Sequence, residues 1–370
     1  MKKILIKADN IKGINYLLKE QGLKGKIDLI YIDPPFATGN NFTITDGRAS
    51  TISNSRNGDI AYSDKLIGNN FINFLRKRLI LLKELLSERG SIYLHIDYKV
   101  GHYVKILMDE VFGIENFRND ITRIKCNPKN FNRIGYGNIK DLILFYSKGS
   151  NPIWHEPRDK YTEEDVQRLF PKTDKFGRKY TTVPIHAPGE TENGQSNEPF
   201  NGIKPPKGRH WRTGVKTLKE WDEKGLIEWS TTGNPRKIIY ADEQRGKRIQ
   251  DIWEFKDPPY PSYPTEKNLD LLGLIIKTSS NKDSIVLDCF CGSGTTLLAA
   301  QINRRKWIGI DNSVHAIKST KKKLNGIKVD LFNKVDYDYI DMEDVEQTNA
   351  TGIIEIQDHV KTENINIKSS

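Results

Sequence analysis

Residues 284–301 read SIVLDCFCGSGTTLLAAQ. Ile285, Val286 and Leu287 form an apolar run that ends at Asp288, glycines stand at 292 and 294, and helix-forming residues begin near Thr295. A strand, a tight glycine turn and a helix in that order mark a nucleotide-binding crevice at the carboxyl end of a strand in an α/β sheet. About 20 residues further on, WIGID ends a second strand at Asp311, where a carboxylate can accept from both ribose hydroxyls. The turn lacks the Lys-Ser/Thr of a phosphate loop, and Leu297 occupies the third glycine position of a dinucleotide fingerprint. Cys289 and Cys291 flank Phe290 with no further ligand nearby, so they read as small buried hydrophobes and no metal is expected.

Such a turn fits a nucleoside that carries no phosphate, and S-adenosylmethionine is one. Upstream, residues 1–150 alternate strands (ILIKA, DLIYI, SIYLHID, DLILFYSK) with helical patterns (INYLLKEQ, FINFLRKRLILLKELLSE, YVKILMDEVF), which predicts a parallel sheet covered on both faces. Residues 151–262 change to Pro, Gly, Trp and basic residues in irregular order and read as an inserted, loop-rich module. Alternation resumes over 263–330, and 331–370 is a polar extension without clear period.

The apolar run DLIYI delivers Asp33 to a strand's carboxyl end in YIDPPF, residues 31–36. Pro34 steers Asp33 away from helical conformation, and two prolines remove two N–H donors. The Asp33 carboxylate and the Pro34 carbonyl are left as a rigid row of acceptors beside an aromatic ring. Such a row suits an exocyclic amine: it takes two N–H groups, aims the nitrogen lone pair at a methyl donor and stabilises the positive charge that grows there. Phe36 can stack on a base, and a base inside a duplex must first be flipped out. A second copy, DPPY at 257–260, follows the charged DIWEFK and precedes PSYPTEK, so it reads as a surface turn.

Composition agrees with a polyanionic partner. The 370 residues carry 58 Lys and Arg against 48 Asp and Glu, a formal charge of +10, and the pI is near 9.2, a balance that attracts nucleic acid. Mean hydropathy is −0.61, no run reaches the length of a membrane span, and Lys7 interrupts the first apolar stretch, which argues against a secretory signal. Three cysteines make no disulfide framework and suggest a reducing cytoplasm.

With these motifs in hand, the chain resembles the site-specific amino-methyltransferases of DNA, in the group whose catalytic motif precedes the cofactor motif. DLIYIDPPF is similar to the family's catalytic motif, LDCFCGSGTT to its cofactor motif, YPTEKN (263–268) to the element before the cofactor strand, and KPPKGRHW to part of the inserted region. The resemblance implies a Rossmann-like, S-adenosylmethionine-dependent methyltransferase sheet with an inserted DNA target-recognition region. It implies that Asp33, Pro34, Pro35 and Phe36 act on the target base and that Asp9 touches the cofactor adenine. Asp288, Phe290, Gly292, Ser293, Gly294 and Thr295 would wrap the methionine and ribose, Asp311 would hold the ribose, and Thr265 and Lys267 would help close the pocket. Phe36 replaces the commoner Tyr, and Asn268 stands where proline is usual.

Other residues read as structural. His95 and Asp97 are expected to support the crevice rim, the remaining histidines lack zinc spacing, and the charges of FLRKRLILLKELL fit a solvated helix face. Lys204, Lys207, Arg209, Trp211 and Arg212 in KPPKGRHWR combine basic and aromatic groups suited to DNA contact. The expected reaction is methylation of adenine N6 in double-stranded DNA, with a cognate restriction endonuclease and a homodimer as further partners. Cytosine N4 methylation and a non-catalytic DNA-binding protein are the alternatives; a nicotinamide oxidoreductase leaves Asp-Pro-Pro-Phe unexplained.

Overall fold

The computed structural model describes residues 2–35, 69–128, 132, 134–190, 194–259, 266–327 and 335–342, together with the backbone of three short strands, Asn41–Thr45, Arg48–Ala49 and Asp59–Ser63, that pair antiparallel. Among the described residues no helix is long and apolar enough to cross a membrane. The chain divides into two compact units, residues 1–155 with 250–370, and residues 156–249.

The first unit is built on a nine-stranded sheet. Its strands are β1 (Ile4–Lys7), β2 (Ile27–Ile32), β3 (Leu86–Ile96), β4 (Phe117–Ile124), β5 (Lys140–Ser147), β6 (Ile252–Glu254), β7 (Ile285–Asp288), β8 (Lys306–Asp311) and β9 (Asp338–Asp341). In space the order is β6-β4-β5-β3-β2-β7-β8-β1-β9. The parallel arrangement expected from the alternation is broken by β5 alone, which runs antiparallel to both β3 and β4. From β2 the chain steps one way across the sheet, to β3, and from β7 the other way, to β8. The strand order therefore reverses between β2 and β7, the place where open α/β sheets bind ligands.

Period-two alternation sorts the strand residues onto the two faces. Ile30, Ile32, Ile92, Leu94 and Ile96 face a core completed by helices α1 (Asn10–Lys19), α2 (Asn69–Leu85) and α3 (Gly101–Phe112) through Leu17, Leu75, Leu79, Leu82, Met108 and Phe112. Tyr31, Tyr93 and His95 turn to the other face, where Tyr93 Oη lies 2.8 Å from Ser279 Oγ of α4 (Leu269–Ser279). Helix α5 (Thr295–Ile302) packs on α4, and α6 (Val314–Asn325) follows β8. Two segments lie outside their expected regions. Ile252–Glu254 pairs with β4 in the main sheet although it falls within the insertion expected over 151–262, and Asp338–Asp341 of the polar extension adds an edge strand beside β1. Both are short edge strands, which need little apolar patterning.

The second unit holds a four-stranded antiparallel sheet of Lys172–Thr173, Lys179–Pro184, Pro235–Tyr240 and Ile227–Trp229. Its core gathers Ile185, Phe200, Trp211, Val215 and Leu218.

Candidate active site

Four aspartates stand at the carboxyl ends of neighbouring strands: Asp33 after β2, Asp288 at the end of β7, Asp311 at the end of β8 and Asp9 just past β1. After β7 the chain turns sharply. Gly292 and Gly294 have φ of 48° and 76°, and a Cβ on Gly294 would lie 2.7 Å from the Thr320 side chain. Only glycine fits there without strain. Asp311 closes the turn, since Oδ2 accepts from Gly292 N at 2.9 Å while Oδ1 accepts from Ser313 N at 2.9 Å. Asp288 Oδ1 accepts from Phe290 N at 2.9 Å, and burial pushes its carboxyl up to about 7. Burial also raises Asp311, against the backbone N–H groups that favour its charge. Cys289 and Cys291 are buried, and burial raises both thiols.

The carboxylate of Asp33 is asymmetric. Oδ2 lies 2.7 Å from Lys267 Nζ, and Oδ1 is buried without a hydrogen-bond partner among the described residues. Pro34 and Pro35 supply no N–H to satisfy it. Phe36 and Thr265 lie outside the described residues.

Beneath Asp33 runs a buried polar chain that sequence reading missed. Tyr31 Oη is 2.8 Å from His95 Nδ1, and His95 Nε2 is 3.3 Å from Asp141 Oδ2. Asp141 on β5 also receives Lys125 Nζ at 2.6 Å and stands 3.5 Å from Arg123 Nη1. Burial opposes the Asp141 charge, but His95 and Lys125 hold its carboxyl well below the usual range. An ionised carboxylate only accepts, so Nε2 carries the imidazole proton and Nδ1 accepts from Tyr31. Burial, then the Lys267 charge, lowers His95 and keeps it neutral. His95 thus lies below the rim, while Asp97 Oδ2 is 3.8 Å from Lys125 Nζ.

On the cofactor side, Asp9 caps α1 through Ile11 N at 2.9 Å and pairs with Arg78 Nη2 at 3.1 Å. Arg78 also donates to Asn10 Oδ1 at 3.1 Å, and Asn10 Nδ2 donates to the Cys289 carbonyl on the glycine turn. The solvated-face reading of α2 therefore fails at Arg78, which is buried. The signal was present: Arg78 falls in the apolar stripe Phe71, Leu75, Leu79, Leu82. Ser293 and Thr295 each receive Lys323 Nζ at 3.0 Å, and Lys323 pairs with Glu266 at 2.5 Å. Asn268, in the position of the expected proline, caps α4 by accepting from Asp270 N at 2.8 Å.

The second Asp-Pro-Pro lies in an exposed loop, as expected, and there Asp257 pairs with the buried Arg123 at 2.5 Å. One expectation needs correction. Trp211 is not a DNA contact: it fills the core of the second unit, where its indole N–H donates to the Glu198 carbonyl at 2.9 Å. Lys204, Lys207, Arg209 and Arg212 around it are exposed.

The strand-order reversal, the glycine turn closed by a carboxylate and the Asp-Pro-Pro segment thus stand together at the carboxyl ends of β2, β7 and β8. The chain belongs to the N6/N4 DNA methylase family, which matches residues 27–322. It is 42% identical over 322 residues to the type II methyltransferase M.EcaI of Enterobacter cloacae, covering 85% of this chain and 68% of that one. It is 26% identical to the Mod subunit of the type III restriction-modification enzyme StyLTI of Salmonella typhimurium, over 79% of this chain and 49% of that one. Among solved structures it is similar to the cytosine-N4-specific PvuII DNA methyltransferase, with a TM-score of 0.49, 12% identity and 89% of each chain covered. The cofactor of the family is S-adenosylmethionine. The residues here fit it: of the roughly four lone-pair sites on the Asp311 carboxylate, the backbone N–H groups of Gly292, Asn312 and Ser313 use three, which leaves one for a ribose hydroxyl.

Proposed function

We propose that the protein is a site-specific DNA methyltransferase acting on the N6 amine of adenine. The buried Asp33 Oδ1, an acceptor without a donor among the described residues at the strand-order reversal, carries this reading. Buried acceptors are almost always paired in proteins, so a lone one at a ligand crevice is waiting for a donor. A flipped adenine offers two N–H groups, one for Asp33 Oδ1 and one for the Pro34 carbonyl, with Phe36 as the stacking surface. Held this way, the nitrogen lone pair is free to attack, and the carboxylate stabilises the charge that develops on nitrogen. S-adenosylmethionine supplies the electrophilic methyl group. Asp311 holds its ribose, and Asp288, Phe290 and residues 292–295 hold the methionine part, with Asp9 toward the adenine.

The unit Glu156–Ile249 is the target-recognition region in this account, with Lys204, Lys207, Arg209 and Arg212 on phosphates. The relatives' names support a place in a restriction-modification system; a cognate endonuclease, a homodimer and a cytoplasmic setting complete the proposal. Incubation of unmodified duplex DNA with the protein and a cofactor carrying a tritiated methyl group tests the reading. Acid-precipitable label in DNA is expected, and DNA binding without label would favour a non-catalytic binding protein.

A further inference from the structure

We propose that Lys267 is a positioning residue for methyl transfer: by gripping Asp33 Oδ2 it fixes the carboxylate so that Oδ1 alone faces the amine. The proposal rests on the reading of Asp33 given above and differs from the expectation that Lys267 closes the cofactor pocket. The lysine side chain is only 9% exposed and its ammonium lies 2.7 Å from Oδ2. A lysine is rarely buried to that degree without a paired charge.

The backbone around it is fixed on both sides. Glu266 pairs with Lys323, which also binds Ser293 and Thr295 next to the glycine turn. Asn268 caps α4 through Asp270 N and Leu271 N, and its Nδ2 donates to the Lys256 carbonyl at 3.1 Å. A carboxylate free to rotate offers either oxygen. Pinned at Oδ2, it offers one, in one direction. The same ammonium offsets the repulsion of Asp33 with Asp288, whose carboxyl is raised by burial and then by Asp33 and Asp311.

The test measures cofactor Kd by calorimetry and the single-turnover rate at saturating cofactor and DNA, for Lys267→Met, Lys267→Arg and Asp33→Ala. Lys267→Met should lower the rate by roughly 100-fold, the cost of a small misplacement of a reacting group, with Kd for S-adenosylmethionine within about threefold of wild type. Lys267→Arg, which keeps the charge but replaces the compact ammonium with a wider planar group, should regain about a tenth of the wild-type rate. A weakened cofactor Kd with an unchanged saturated rate would overturn the proposal and assign Lys267 to the cofactor. Should Lys267→Met fail to fold, a wild-type rate in Lys267→Arg overturns it equally. Full activity in Asp33→Ala would sink the reading of the site itself, whereas an inactive Asp33→Ala beside a fully active Lys267→Met sinks only the role of the lysine.

Discussion

Arg123 Nη2 lies 2.5 Å from Asp257 Oδ1, and Arg123 Nε donates to the Phe255 carbonyl at 2.7 Å. The second Asp-Pro-Pro of the chain thus ties the segment after β6 to a guanidinium buried in β4. Its Asp faces an arginine, whereas Asp33 keeps one oxygen without a hydrogen-bond partner among the described residues. Asp257→Ala should therefore cost about 1–3 kcal/mol of stability, the range for losing a charged hydrogen bond, with turnover per folded molecule unchanged. Urea denaturation and a rate corrected for folded fraction check this. A folded Asp257→Ala protein without activity would contradict the division of roles.

Asp311 closes the glycine turn, and in the proposed function it also accepts from the ribose. Asp311→Ala should weaken S-adenosylmethionine binding by about 1.5–3 kcal/mol while DNA affinity without cofactor stays within error. Asp311→Asn keeps one acceptor for Gly292 N and should retain more stability than cofactor affinity. Calorimetry that finds the same Kd in all three proteins would remove β8 from the pocket.

The local part of this site was readable because each element lies within a dozen residues of chain. An apolar run, two glycines and a following helix place Asp288 and the turn, and the same logic places Asp33 and Asp311 at strand ends. Pairings across the sheet were not readable. Asp141 to His95 depends on the reversal of β5, and Lys267 to Asp33 and Arg123 to Asp257 depend on which segments the sheet makes neighbours, which no local pattern encodes. Trp211 misled because its neighbours are basic; the surface belongs to them and the core to the indole.

Asp288 sets a pH dependence whose sign follows from its raised carboxyl. Between the ordinary aspartate value and about 7 the folded protein binds a proton that the unfolded chain does not, so stability falls as pH rises through that window. Relative to Asp288→Asn, the cofactor-free wild type should lose roughly 2–3 kcal/mol between pH 5 and 8 and then level off. Paired denaturation curves at several pH values measure it. A difference that does not vary with pH would mean that Asp288 is ionised throughout.

In the second unit, packing and the proposed DNA contacts separate by residue. Trp211→Ala removes a buried indole and should destabilise that unit by about 3–5 kcal/mol. Lys207→Ala, Arg209→Ala and Arg212→Ala should fold normally. Each should weaken DNA binding at low salt and reduce the slope of log affinity against log salt by about one. Fluorescence anisotropy across a salt series distinguishes the two groups, and an unaltered slope in all three would move the phosphate contacts elsewhere.

The identity of the methylated base, together with its dependence on Asp33, tests the central claim most directly. Unmodified duplex DNA is incubated with deuterium-labelled S-adenosylmethionine and either wild-type or Asp33→Ala protein, digested to nucleosides and analysed by mass spectrometry. The account predicts labelled N6-methyldeoxyadenosine from the wild type and none from Asp33→Ala. Labelled N4-methyldeoxycytidine as the main product would contradict the adenine assignment, and equal label from Asp33→Ala would contradict the site.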